Sequence, residues 1–255
     1  MSDEIILEKI HDFLTEEQKK RKKLTVYHSQ PNITNYPLNL NINVQLDANK
    51  EIILQEDTKL ELGGINTESF SIIHCIENLN LIKDNQINLL GPEIYEISES
   101  KVNFGLFILV GINEKCEEKT EIFKNLNFIS NGIEGFMIRT IPRRFWCRIS
   151  SVVINKNFSF QFLGNAIISL YKKKFENIIK SVEIFFISSY SDSIKEFIKL
   201  SSEITKKYKE RWKNKIEEWR KKIDCDYDWG CEICPYQEEC YDIKQLLITR
   251  NKIER

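Results

Sequence analysis

Four closely spaced cysteines constrain this chain more than any other feature of its sequence. Cys225, Cys231, Cys234 and Cys240 lie in the segment CDYDWGCEICPYQEEC, separated by five, two and five residues. A Cys-x2-Cys pair lets two thiolates reach one ion from a single turn of chain, and nearby cysteines can complete a tetrahedral set. The spacing therefore predicts a metal site with four thiolate ligands.

Two metals suit four thiolates, zinc and the iron of a 4Fe-4S cluster. The three histidines, His11, His28 and His74, lie far upstream and do not help to decide. Both outer intervals are shorter than the roughly 12 to 20 residues that separate ligand pairs in finger-type zinc sites. The compact spacing favours 4Fe-4S, zinc remains the alternative, and free or buried cysteines are a third reading.

Composition indicates the setting of this site. The 255 residues are 42% hydrophobic and 29% charged with a net charge of −1, a globular balance that gives no signal for nucleic-acid binding. No signal-peptide core and no apolar run of membrane-spanning length occurs. We therefore expect a cytoplasmic protein with no nucleic-acid or membrane partner, where thiols stay reduced and clustered cysteines favour a metal over disulfides.

The pattern of apolar residues predicts an α+β fold. A short amphipathic helix is expected over residues 4–21, followed by an extended linker over residues 24–49 that leads into a strand. The strands expected in the body are KLEL before Gly63, residues 69–76, residues 103–112 and residues 182–189, with a helix over residues 165–180. The expected architecture is a mixed sheet flanked by helices, then a long helix and a small metal-binding tail that carries the four cysteines.

We divide the chain into three parts on this basis. Residues 1–50 form the N-terminal helix and linker, residues 51–200 the α+β domain, and residues 201–255 a basic helix with the four-cysteine iron-sulfur segment. The long helix is expected to run from Ser191 to Ile223, and its later half contains nine basic and three acidic residues. A solvated helix face explains such a charge run more often than an acidic partner does.

Three further stretches resemble a known family. They are QEDTKLELGG at residues 55–64, INLLGPEIYEI at residues 87–97 and GIEGFMIRTIPRRFWCRIS at residues 132–150. In order and spacing they are similar to the middle domain of acetyl-CoA synthase, the β subunit of the carbon monoxide dehydrogenase/acetyl-CoA synthase complex. Each motif alone is weak, but their collinear order, followed by a cysteine group, argues against chance.

The resemblance implies roles for the cysteines. Cys231, Cys234 and Cys240 look like the first three ligands of the 4Fe-4S part of the family's nickel-containing cluster, and Cys225 would substitute for a fourth. The family's later Cys-Gly-x-Cys stretch, which chelates nickel, has no counterpart in the fifteen residues after Cys240. We also expect no counterpart of the family's N-terminal domain, which contacts the dehydrogenase. We therefore expect no stand-alone acetyl-CoA synthase (acyltransferase) activity.

The resemblance also implies a coenzyme A site. Arg143, Arg144, Trp146 and Arg148 lie in the stretch that matches the family's coenzyme-binding domain. Arginines can clamp phosphates bidentately and tryptophan can stack on adenine. The alternative is that Trp146 is a core residue and the arginines are a solvated rim. Gly63 and Gly64 are better explained by a turn than by a phosphate loop.

The expected function follows from these points. It is an accessory iron-sulfur protein that transfers electrons to, or docks onto, a corrinoid iron-sulfur protein or carbon monoxide dehydrogenase in anaerobic one-carbon metabolism. One alternative is a fragment of an active synthase whose nickel ligands come from another chain. Another is a structural module that zinc or a cluster staples together.

Overall fold

Two β-sheets and the helix Phe160–Lys174 enclose the core of the protein. The computed structural model describes residues 3–29, 42–48, 52–112, 123, 125–141 and 144–201. The strands are β1 (Leu24–His28), β2 (Thr58–Gly63), β3 (Ser69–Ile76), β4 (Gln86–Leu90), β5 (Lys101–Val102), β6 (Phe104–Ile112), β7 (Phe136–Ile141), β8 (Arg144–Ser150) and β9 (Ile179–Ser188). The helices are α1 (Asp3–Lys19), α2 (Asn127–Gly132), α3 (Ser151–Ile154) and α4 (Phe160–Lys174), and residues 191–201 are also helical.

The larger sheet has five strands in the order β1-β4-β9-β6-β3. It is mixed, because β3 pairs in parallel with β6 and β4 in parallel with β9, whereas β1 with β4 and β6 with β9 are antiparallel. The second sheet has the order β5-β2-β8-β7, in which β2, β8 and β7 are antiparallel neighbours. This mixed, helix-flanked arrangement confirms the α+β prediction.

The central strands β6 and β9 were predictable from the sequence because they are buried on both faces. Every residue of β6 is buried, and in β9 all but Lys180 are buried. A strand covered on both faces reads as an almost continuous apolar run, which is the clearest strand signal in a sequence. Residues 103–112 accordingly form β6 nearly as expected. Residues 69–76 form β3 at the edge of the sheet, as predicted.

Helix α4 corrects one prediction. The apolar spacing predicted a helix over residues 165–180, but α4 begins at Phe160 and ends at Lys174, and Lys180 lies in β9. The earlier start follows from Ser159, whose hydroxyl accepts a hydrogen bond from the Phe162 amide at 3.0 Å and so caps the helix.

The segment predicted as an extended linker also contains regular structure. Its first five residues form β1, which pairs with β4 at the edge of the larger sheet. The N-terminal segment and the body therefore share one sheet.

Helix α1 and the helical residues 191–201 are joined by ring contacts and an ion-pair cluster. The Phe197 ring lies 5.3 Å from the Phe13 ring and 4.9 Å from the Phe70 ring of β3. Near the end of α1, Lys20 and Lys22 each approach the buried Glu17 carboxylate to 2.7 Å. No helix among the described residues is long and apolar enough to span a membrane.

Candidate functional site

The outward face of the four-stranded sheet carries the sequence-predicted site residues that the structure describes. Along β8, Phe145, Cys147 and Ile149 are buried in the core, whereas the alternate residues Trp146 and Arg148 are half-buried. Successive side chains of a strand point to opposite faces, so this exposure pattern places Trp146 and Arg148 together on the outer face. The Trp146 ring is half-buried and so is not a fully buried core residue, and its role in coenzyme A binding stays a prediction.

Trp146 and Arg148 form a stacked pair. The guanidinium carbon of Arg148 lies 4.6 Å from the centroid of the Trp146 ring, which is cation–π geometry. Nη1 of Arg148 donates a hydrogen bond to the carbonyl of Ile53 at 3.0 Å. Its Nε is buried and has no hydrogen-bond partner among the described residues. The Arg148 guanidinium therefore anchors the main chain at Ile53, and its Nε–H remains without an acceptor among the described residues.

The glycine pair allows the main chain to approach β8 closely. Gly63 and Gly64 have φ values of +78° and +100°, in the region that favours glycine. A Cβ on Gly63 would lie 2.5 Å from the carbonyl oxygen of Phe145, and the Gly64 amide donates to that same oxygen at 3.2 Å. The pair is thus a steric requirement of the β2–β8 contact, in agreement with the turn interpretation.

Charged side chains surround the stacked pair. The strand register puts Arg139 of β7 opposite Trp146, and Glu61 of β2 opposite Arg148. Arg139 is exposed, and Lys101 lies 3.9 Å from the Glu61 carboxylate. With three cations and one carboxylate beside an aromatic ring, this face can bind an anion that also carries a planar ring.

Most of the other predicted site residues lie outside the part of the chain that the structure describes. Cys225, Cys231, Cys234, Cys240 and Arg143 lie outside the described residues, and Arg144 is described only as the first residue of β8. Within the described ranges no three His, Cys, Asp or Glu side chains are grouped so that they could hold a metal ion. The four-cysteine site therefore stays a prediction.

The upstream thiol in the RFWCRIS stretch is not a reactive group. Cys147 is fully buried, and burial raises the pKa of its thiol well above the ordinary value. A nucleophilic or metal-binding cysteine needs an accessible thiolate. Cys147 has no solvent access, and its raised pKa disfavours the thiolate.

Glu93 has a role that sequence reasoning missed. Its carboxylate is buried and accepts hydrogen bonds from the first two amides of α4, Phe160 at 2.8 Å and Gln161 at 3.1 Å. It also accepts from its neighbour Ile94 at 2.9 Å. A carboxylate at this position satisfies amides that the helix leaves unpaired and interacts favourably with the helix dipole. The only signal was Glu93 itself in the family-like stretch, and nothing in the sequence linked it to residue 160.

Glu183 is a second buried carboxylate. Burial raises its pKa, and hydrogen bonds from the Asn88 side chain at 3.0 Å and the Lys83 amide at 3.1 Å oppose that rise. The residue is 1% exposed. A carboxylate without solvent access has no route to a substrate, so we assign Glu183 to the structural interior.

Comparison with known proteins agrees with the motifs in this body. A family model described as the CO dehydrogenase/acetyl-CoA synthase complex beta subunit matches residues 40–192. An acetyl-CoA decarbonylase/synthase complex subunit beta from Methanopyrus kandleri is 30% identical over 190 residues, which is 72% of this chain and 38% of that protein.

Two further relatives are more distant. The carbon monoxide dehydrogenase/acetyl-CoA synthase subunit alpha of Moorella thermoacetica is 26% identical over 70% of this chain and 24% of its own length. The subunit beta of the acetyl-CoA decarbonylase/synthase complex from Methanothermobacter thermautotrophicus is 26% identical over 69% of this chain and 36% of its own length. The match thus spans less than two fifths of each relative. Because the family model covers more than half of this chain, the chain belongs to the CO dehydrogenase/acetyl-CoA synthase complex beta subunit family.

Proposed function

We propose that this chain is an accessory iron-sulfur protein of a CO dehydrogenase/acetyl-CoA synthase-type complex. It transfers electrons to, or docks onto, a carbon monoxide dehydrogenase or a corrinoid iron-sulfur protein in anaerobic one-carbon metabolism. One observation carries this proposal: the family match over residues 40–192 is followed, in the same chain, by four cysteines at residues 225–240. The relatives are themselves named as subunits of such complexes.

Four thiolates at this spacing suit a 4Fe-4S cluster, in which Cys225, Cys231, Cys234 and Cys240 would each bind one iron. Such a cluster supplies reversible one-electron transfer. This chemistry matches an electron-transfer role and does not need a nickel site.

The outer face of the four-stranded sheet suits coenzyme A. One face of the Trp146 ring is covered by the Arg148 guanidinium, so adenine would stack on the opposite face. Arg139 lies across from Trp146 on the neighbouring strand, so a cation for the phosphates is available there. Arg143 and Arg144 precede Trp146 in the sequence and would be further candidates for phosphate binding.

Metal analysis of anaerobically purified protein tests the cluster. We expect about four irons per chain and an electron paramagnetic resonance signal after reduction. Cys234→Ser should remove the signal, whereas Cys116→Ser, a cysteine outside the group, should leave it unchanged. Zinc without iron, or a cluster that dithionite and stronger reductants do not reduce, would exclude electron transfer. Nickel together with exchange of CO into acetyl-CoA would instead favour the synthase-fragment alternative.

Calorimetric titration with coenzyme A tests the ligand face separately. Trp146→Leu and Arg139→Gln should each weaken binding about tenfold, the magnitude expected for one stacking or phosphate contact. Lys173→Gln, which removes an exposed cation of α4, serves as the matched control and should have no effect. Equal affinity in all variants, or no binding by the wild type, would remove coenzyme A from the proposal.

A further inference from the structure

Three exposed large apolar side chains lie at one end of the four-stranded sheet. Antiparallel pairing brings the start of β2, the end of β8 and the start of β7 to the same end. Ile52 and Leu54, just before β2, are 69% and 51% exposed, and Val152, just after β8, is 61% exposed. Large exposed apolar side chains that cluster on a soluble protein indicate an interaction surface more often than isolated ones do.

A cleft lies within this surface. It has a volume of about 390 Å³, and Ile52 and Val152 both line it. Its other walls come from the turn at Gly135 and from the serines at the end of β8. A cleft of this size can accept side chains of a partner.

The chain around the cleft is held in place. Ile53 is buried between the exposed Ile52 and Leu54, and its carbonyl accepts the hydrogen bond from Arg148 at 3.0 Å. The Asp57 carbonyl accepts from the Ser151 amide at 3.0 Å, which ties the segment before β2 to the start of α3. The apolar side chains are therefore presented by an anchored segment, and docking would require little ordering of this side of the interface.

The rim of the cleft is acidic. Glu56 and Asp57 line it and are exposed, and the ion pairs among the described residues do not include either one. Glu134 also lines the cleft but is paired with Lys156 at 2.8 Å, so it adds little net charge. An apolar centre with an uncompensated acidic rim is complementary to an apolar segment flanked by basic residues.

We propose that this sheet end, formed by Ile52, Leu54, Glu56, Asp57 and Val152, docks a basic amphipathic segment of a partner protein. The partner's apolar side chains enter the cleft between Ile52 and Val152, and its lysines or arginines face Glu56 and Asp57. These five residues include none of the candidate coenzyme A residues and none of the four cysteines, so the inference does not depend on the metal content or on coenzyme A binding.

Peptide titration of the full chain tests this proposal. The probe is a fluorescent amphipathic helical peptide with leucines on one face and lysines on the other. A second peptide has glutamate at each lysine position. We expect the lysine peptide to bind and the glutamate peptide to bind at least about tenfold more weakly. The double variants Ile52→Ser/Val152→Ser and Glu56→Lys/Asp57→Lys should each lower affinity for the lysine peptide about tenfold or more.

Two control variants distinguish binding at this surface from non-specific apolar or electrostatic binding. Ile65→Ser removes an apolar side chain that is 58% exposed at the opposite end of β2, and Glu99→Lys reverses an exposed charge elsewhere. Neither should change the affinity. Equal binding by all variants, or equal binding of both peptides, would overturn the proposal.

Sedimentation of the unliganded chain adds a second criterion. Self-association that is abolished by Ile52→Ser/Val152→Ser would show that a second copy occupies the surface, and would also overturn the proposal. A chain that stays monomeric and binds the lysine peptide supports it. Iron analysis of the same samples keeps the outcome distinct from that of the proposed cluster.

Discussion

Replacing Glu17 by glutamine should destabilise this protein although the residue lies close to the end of an N-terminal helix. The Glu17 side chain is fully buried and accepts hydrogen bonds from Lys20, Lys22 and the hydroxyl of Ser193. Ser193 belongs to the helical residues 191–201, so the carboxylate joins two distant parts of the chain. Burial alone would raise the carboxyl pKa, but the three donors outweigh it and lower the pKa of Glu17 from 4.5 to about 2.

The expected loss of stability follows from the difference between the unfolded and folded pKa values of Glu17. A carboxyl with a pKa of 4.5 in the unfolded chain and about 2 in the folded protein stabilises the fold by about 3 kcal/mol at neutral pH. The Lys20 side chain is 45% exposed and partly screened by water, so we expect Glu17→Gln to cost about 2 kcal/mol. Because the folded pKa is the lower one, this stability is present above pH 4.5 and is lost as the pH falls towards 2.

Urea unfolding at a series of pH values measures this directly. The difference in unfolding free energy between wild type and Glu17→Gln should be largest near neutral pH and shrink steadily below about pH 4.5. Glu16→Gln is the matched control, since Glu16 pairs with Lys19 at 2.6 Å but is exposed, and its replacement should change little. A Glu17→Gln variant as stable as Glu16→Gln, or a difference independent of pH, would refute the reasoning.

Three further substitutions test other parts of the fold by urea unfolding. Glu93→Ala should cost about 2 to 3 kcal/mol, because it removes the buried cap of α4, and Glu93→Gln should lose less because an acceptor oxygen remains. Gly63→Ala should cost more than about 1 kcal/mol, because its φ is +78° and a Cβ would meet a carbonyl oxygen at 2.5 Å; an unchanged midpoint would contradict this. Tyr171→Phe should cost about 1 kcal/mol, because the buried hydroxyl donates to the Phe123 carbonyl at 2.9 Å; a neutral effect would show that this carbonyl finds another donor.

The sequence was sufficient where one local pattern dominates. Strands β3, β6 and β9 are long and strongly apolar, and α1 has a regular amphipathic spacing, so their types could be predicted. The family could also be inferred, because three collinear stretches retain enough similarity to be matched one by one.

The start of α4 shows where local pattern misleads. Phe158, Phe160 and Phe162 alternate with polar residues, as in a strand, yet Phe160 and Phe162 lie in a helix and all three are buried. A helix enclosed by core on several sides loses the polar face that makes its period visible. Its N-terminus was decided by capping from Ser159 and from Glu93, which is distant in sequence.

The candidate surfaces were decided by tertiary structure. The stretch RFWCRIS contains aromatic, basic and thiol side chains, and only its pairing between β2 and β7 determines that Trp146 and Arg148 face outward while Cys147 faces the core. Likewise, Ile52 and Val152 are a hundred residues apart and meet because antiparallel neighbours bring opposite strand ends together. The sequence by itself determined which chemical groups this protein has and to which family it belongs. Strand pairing decided which of those groups meet at one surface, because that depends on long-range register that no local pattern encodes.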